Sequence, residues 1–303
     1  MALFRLSDPT FNPVHKGRGI LNAQAFISYL MKKLSHALPR ESNNVLHPRW
    51  QILLASLPFV LFLLVPLVGL IFRVSPSNLI SSITEPQVGQ AIRLSISTTL
   101  ITVFLTLLFG TPVAYALARK RFFGRTMLDA LIDMPVVLPP SVAGVALLIA
   151  FGRRGVLGPI FGGLEIPFTE AAVVMAQLFV SSPYYIKSAS AGFASVNREL
   201  EHAAAVDGAS RLQIFRTIIL PLSFPALMGG IVMTWARALG EFGATIIFAG
   251  NFPGKTQTMP LAIYIGFEID LNIALVLSLI LLVISFFVLA VVKGILGQRL
   301  KIF

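Results

Sequence analysis

Cysteine is absent from the chain's 303 residues, which excludes disulfides, thiol catalysis and cysteine-held metal sites. Histidine is nearly as scarce. His15, His36, His47 and His202 show no ligand spacing, so no metal centre is expected. Neither a His/Glu metal pair nor a Ser/His arrangement supports an intramembrane enzyme. Charged residues make up only 12% of the chain, well below the share usual in soluble domains.

Apolar residues fill the gap. They account for 56% of the chain, the mean hydropathy is +0.83, and runs of about 20 apolar residues recur, the length that crosses a hydrocarbon layer. Six spans are expected near 51–72, 91–118, 128–151, 169–190, 222–249 and 271–293. The runs are continuous, without the ten-residue alternation of a membrane barrel, so an all-α membrane protein is expected.

The formal net charge of +11 raises the question of nucleic acid, but the basic residues lie in loops between the apolar runs, so no such partner is expected. Of the 24 lysines and arginines, 18 fall on the side that carries both termini and five on the other, with Arg237 inside a span. The positive-inside bias therefore places both termini in the cytoplasm of a multi-pass cell-membrane protein. Residues 1–50 read as a basic cytoplasmic extension, residues 51–298 as the permeation domain and 299–303 as a short tail. No cleavable signal peptide is expected, because the first long apolar run begins near Gln51. Leu21–Leu38 reads as a basic tail, with a surface-lying amphipathic helix as the alternative.

Between the fourth and fifth spans, residues 197–221 are too polar to cross. The pattern predicts two short helices. Asn197 can cap the first, Glu199 and Glu201 suit its positive end, and Gly208 can take the left-handed conformation that stops it. Ser210 with Gln213 fits a capping box. In the second helix Leu212, Phe215 and Ile219 share a face beside Ile214 and Ile218, free to dock in a groove of another protein; packing on the chain's own spans is the alternative.

This segment resembles the cytoplasmic signature of ABC importer permeases: Glu-Ala-Ala, a glycine, nine residues, then Ile-x-Leu-Pro. Ala203, Ala204, Gly208, Ile218, Leu220 and Pro221 match with the nine-residue gap intact. His202 stands at the usual glutamate position and Glu201 one residue earlier. The resemblance, covering about residues 91–296, implies a type I importer permease of six transmembrane helices with a coupling helix-turn-helix between spans four and five. It implies docking of Glu201, His202, Ala203, Ala204, Gly208, Phe215, Ile218, Leu220 and Pro221 on a cytoplasmic ABC ATPase dimer. The chain itself would hold no catalytic residue, cofactor or ATP site.

Gly250 to Thr256 imitates a phosphate-binding loop but has three residues between its glycines where four are required, and it follows a membrane helix rather than a strand. A Pro/Gly turn is expected. Within the spans, Arg237 and Glu241 lie four apart on one helical face and can neutralise each other. They are candidates, with Phe242 and Gly243, for an anion path and its gate; a structural ion pair is the alternative. Asp129 and Asp133 are expected to stack with Arg125. Pro135, Pro139 and Pro140 break the third span, and Gly229 with Gly230 either loosens or packs the fifth.

The stretch Ala238–Tyr264 resembles the oxyanion branch of the permease family, and molybdate permeases most, with sulfate/thiosulfate and tungstate importers as the alternatives. That resemblance implies a homodimer working with an extracytoplasmic oxyanion-binding protein in the lipid bilayer. An ion-coupled secondary carrier is the competing class, and it would require inverted repeats, of which none is clear.

Overall fold

The computed structural model describes residues 49–158 and 166–300, and every regular element among them is helical. The expected tail or surface helix over Leu21–Leu38 lies outside the described residues. By compactness the chain divides into Met1–Leu63 and Leu64–Phe303. The boundary falls within helix α1 (Arg49–Arg73), which is apolar all round, with Phe59, Phe62 and Phe72 exposed. A helix without a polar face suits lipid rather than water.

In the second unit, α2 (Pro76–Ile83) leads to α3 (Pro86–Arg119), whose 34 residues exceed what a hydrocarbon layer of about 30 Å requires. There follow α4 (Arg125–Val137), α5 (Pro140–Phe151), α6 (Glu170–Ser195), α7 (Arg198–Val206) and α8 (Arg211–Ile214). A π turn (Phe215–Ile219) joins α8 to α9 (Leu220–Leu239), and α10 (Gly243–Phe248), α11 (Met259–Ile269) and α12 (Leu271–Leu300) complete the order. Among the described residues, Leu54–Arg73, Pro86–Arg119, Arg211–Leu239 and Leu271–Gly294 are long and apolar enough to cross a membrane. The α4–α5 pair adds a fifth crossing if it is one bent span. The chain is a multi-pass, all-α membrane protein.

Two expected spans take a different form. The third is not continuous: α4 and α5 meet at a bend of 117°. Pro139 holds Leu138 extended, and Pro140 opens the new helix where its missing N–H costs nothing. The fifth stops at Leu239, and α10 starts anew at Gly243. Its other end runs through the π turn into α8, because Pro221 cannot donate to Thr217 and the ladder shifts register, Leu220 N–H reaching Phe215 O.

The fourth, α6, is polar for a span yet lies between α3 and α9, and Gln177, Ser181 and Ala189 are buried. A helix sheltered from lipid by its neighbours does not have to be apolar, and hydroxyl groups on it and on those neighbours serve as links. Thr102 Oγ1 donates to Gln177 Oε1 at 3.1 Å, Thr234 Oγ1 to Ser181 O at 3.1 Å and Ser188 Oγ to Ala226 O at 2.6 Å. Gly230 faces Tyr185 and Ser188, where a Cβ would stand 3.0 Å from the Ser188 Cβ, so this glycine serves close packing.

Candidate functional site

The segment between α6 and α9 forms the helix-turn-helix its capping residues predict. The Asn197 side chain accepts from Glu199 N–H at 2.9 Å and opens α7. Gly208 has a φ of +86°, and the amides of Gly208 and Ala209 close back on Ala205 O and Ala204 O, the paired bonds of a left-handed helix stop. Ser210 and Gln213 exchange side-chain and backbone bonds at 3.3 and 2.8 Å, completing the capping box that opens α8.

Two contacts fasten this unit to the spans. Arg119, at the end of α3, forms an ion pair of 2.9 Å with Glu201 and donates at 2.9 Å to Val196 O, the C-cap carbonyl of α6. Its side chain is only 6% exposed. One guanidinium thus joins the ends of α3 and α6 to the first turns of α7. Alongside, Tyr115 meets Phe193 and Phe215 edge-on at 5.7 and 5.5 Å between ring centres.

These contacts sort the predicted coupling residues. Glu201 is turned inward to Arg119, and Ala204, Phe215 and Ile218 pack against the core of Ala114, Tyr185, Phe193 and Ile219. The apolar face of the second helix, expected to be free for docking, is therefore turned inward apart from Leu212, because Ile214 and Ile219 continue the buried side of α9. His202, Ala203, Gly208, Leu220 and Pro221 are exposed. Arg119 was not foreseen as a site residue: a basic residue at the end of a span carries no signal for which acid it will meet.

In the second candidate region, Arg237 Nη1 lies 2.6 Å from Glu241 Oε2, with the carboxylate 1% exposed. The other oxygen, Oε1, accepts from Ala244 N–H at 2.8 Å and so caps the start of α10. A Cβ on Gly243 would stand 2.6 Å from Pro140 Cβ, which fixes α10 against the start of α5. The Phe242 ring rests on Tyr264 at 5.3 Å. The structural ion pair is thus present, and all four residues build one turn.

Two further expectations resolve differently. Asp129 and Asp133 do not stack with Arg125; they reach across to Lys187 of α6 at 2.6 and 2.8 Å. Lys187 satisfies both carboxylates, one helical turn apart, from a facing helix. Gly250 to Thr256 is a turn as expected: Phe252 O receives the amides of Lys255, Thr256 and Gln257, and both glycines have positive φ.

Residues 107–302 match the family described as "Binding-protein-dependent transport system inner membrane component". The molybdenum transport system permease protein ModB of Mycobacterium tuberculosis is 41% identical over 242 residues, covering 78% of this chain and 90% of that protein. The molybdate/tungstate transport system permease protein WtpB of Pyrococcus abyssi is 36% identical over 220 residues, 73% of this chain and 83% of its own. Among solved structures, a chain of a bacterial ABC transporter for import of the acidic polysaccharide alginate superposes with a TM-score of 0.64 at 16% identity, over 91% of this chain and 99% of that one.

Glu201→Gln should loosen α7, since it leaves the Arg119 guanidinium buried without its counter-charge. Breaking a fully buried pair costs about 3–5 kcal/mol, and the 20% exposure of Glu201 lowers this to about 1–3 kcal/mol. Trypsin cleavage after Arg198 and Arg211 of the folded chain is expected to accelerate about fivefold or more; unchanged cleavage would mean that Arg119 does not hold the segment.

Proposed function

The chain belongs to the binding-protein-dependent transport inner membrane component family, the permease component of ABC importers, and from that premise we propose that it forms the pathway for a tetrahedral oxyanion, molybdate first. The observation carrying the coupling role is the placement of α7: fastened to two spans by Arg119, with His202, Ala203 and Gly208 left facing outward. A rigid unit that is exposed on one side and bound to spans on the other can pass movement of a docked partner into the membrane. The partner is a cytoplasmic ABC ATPase dimer, and the chain contributes no ATP site of its own.

In this reading residues 51–298 form a six-span domain in which α6 is the sixth crossing, screened from lipid by its neighbours. Residues 1–50 and 299–303 lie in the cytoplasm, as the distribution of lysine and arginine favours. Two copies enclose the pathway, and an extracytoplasmic oxyanion-binding protein delivers cargo. The relatives named for molybdenum and for molybdate/tungstate support the cargo class, and tungstate and sulfate are the competing oxyanions.

The turn at 240–243 lies on the path. Arg237, about a quarter exposed, meets the anion with its charge offset by Glu241. A compensated cation attracts an anion without holding it, and release requires that.

Three outcomes test this. Vesicles containing the chain, its ATPase and its binding protein should take up molybdate only with ATP, with tungstate competing more strongly than sulfate; uptake that persists without the ATPase rejects the importer reading. Gly208→Pro cannot adopt the positive φ at this position and should reduce copurification of the ATPase at least about tenfold, with membrane insertion unchanged. Glu241→Gln keeps an acceptor for Ala244 N–H but removes the counter-charge. Maximal uptake should fall about tenfold while half-saturation shifts to lower cargo concentration, and a rise in both would place Arg237 off the path.

A further inference from the structure

The junction at the end of α3 has a further side, bordered by the coupling residues Glu201 and His202, whose cations the coupling role and the pathway do not use. Arg119, almost wholly buried, has an Nε without a hydrogen-bond partner among the described residues. It lines a cavity of about 240 Å³ together with Lys120, Arg198 and Arg211. Glu201 is the one carboxylate in that lining and is already paired with Arg119, so the cavity carries a surplus of positive charge. A buried guanidinium N–H left unsatisfied beside three more cations calls for an anion.

A second cavity adjoins the first and shares Tyr115, Lys120 and Arg211 with it. It is an apolar trough of about 590 Å³ running past Leu107, Leu108, Pro112, Leu212 and Phe215. From Leu107 to Arg119, α3 rises roughly 18 Å at about 1.5 Å per residue, close to the ~15 Å depth of one hydrocarbon leaflet. Apolar walls thus lie along the span, and cations cluster where it ends.

We propose that this pair of cavities binds an anionic phospholipid, its phosphate held by Lys120 and Arg211 and one acyl chain lying in the trough. A free anion would satisfy the cations and leave the trough empty. An apolar segment of protein would fill the trough and leave the cations uncompensated. A phospholipid with net negative charge satisfies both, and basic sites at span ends are where such headgroups concentrate. Only the choice of leaflet, the cytoplasmic one, rests on the orientation proposed above.

The test is native mass spectrometry of the full chain released from detergent, with phosphatidylglycerol and phosphatidylcholine of identical chains as probes. Phosphatidylglycerol should be retained on the order of 30-fold better, as expected for two lysine or arginine contacts. Lys120→Gln with Arg211→Gln should abolish that preference. Arg121→Gln with Arg216→Gln removes two exposed charges outside both cavities and should change it by less than about twofold. Leu108→Asn should weaken retention of the diacyl lipid.

Equal retention of the two lipids, or equal loss in the control pair, would overturn the proposal. Displacement by glycerol phosphate at matching concentration would make this a small-anion site instead. Displacement by the ATPase subunit would assign the cations to that contact. The lipid measurement needs no cargo, binding protein or ATP, so it stands or fails apart from the transport reading.

Discussion

A single guanidinium sets the geometry on which the rest depends. Arg119 is removed from water at the end of α3, and a charge so placed is stable only if its neighbours repay the lost hydration. Two groups do so, and they come from different elements. Glu201 supplies the opposite charge from α7, and Val196 supplies a carbonyl that the end of α6 would otherwise leave unpaired. The demand for solvation thus becomes a mechanical joint: α7 cannot move away from α3 and α6 without stranding a buried ion. The rings of Tyr115, Phe193 and Phe215 lock the other side of the same joint by packing.

The span region follows from a related constraint. Lipid offers no hydrophobic gain for bringing two apolar helices together, so association relies on close packing and on hydrogen bonds between helices. The threonines and serines of α3, α6 and α9 fill that role, and α6 carries the polarity because its neighbours cover it. The α4–α5 bend is held by other means: Lys187 clamps Asp129 and Asp133 on α4, and Gly243 lets α10 press on Pro140 at the start of α5. Both arms of the bend thus rest on α6, α4 through the Lys187 clamp and α5 through Ala143 and Leu147, and α5 alone is also held by α10.

Where the determining physics was local, the sequence was legible. Asn197, Gly208, Ser210 and Gln213 act within four residues of themselves, and each cap formed where its residue type required. Long apolar runs were also readable, since lipid acts on every residue alike. What could not be read were choices made by distant partners. Nothing near Glu201 tells that Arg119 will claim it, and nothing near Asp129 tells that Lys187 rather than Arg125 will pair with it. The interruption at 240–242 was hidden for a similar reason. Its flanks are apolar enough to pass as one span, and the break depends on a carboxylate that both pairs with Arg237 and caps a new helix.

The same chemistry bears on the irregularity of the family signature. With Glu201 committed inward, the outward position at the start of the Ala-Ala pair belongs to His202, so the exposed face of α7 presents an imidazole there. Of the acidic residues in the first turn of α7, Glu199 remains toward solvent, held near Asn197 at the cap. A docked partner would thus meet Ala203, Val206 and the turn at Gly208, flanked by the exposed charges of Arg198, Glu199, Asp207 and Arg211. The small apolar turn and its charged flanks would share the contact, while the buried pair behind them holds α7 in place. That division parallels the turn at Arg237 and Glu241, where a charge is also kept in place by its partner rather than offered unpaired. In both places the ion pair is internal to the chain and one partner is almost wholly buried, so separating the two would strand a charge away from water and the turn that carries them is held rigid.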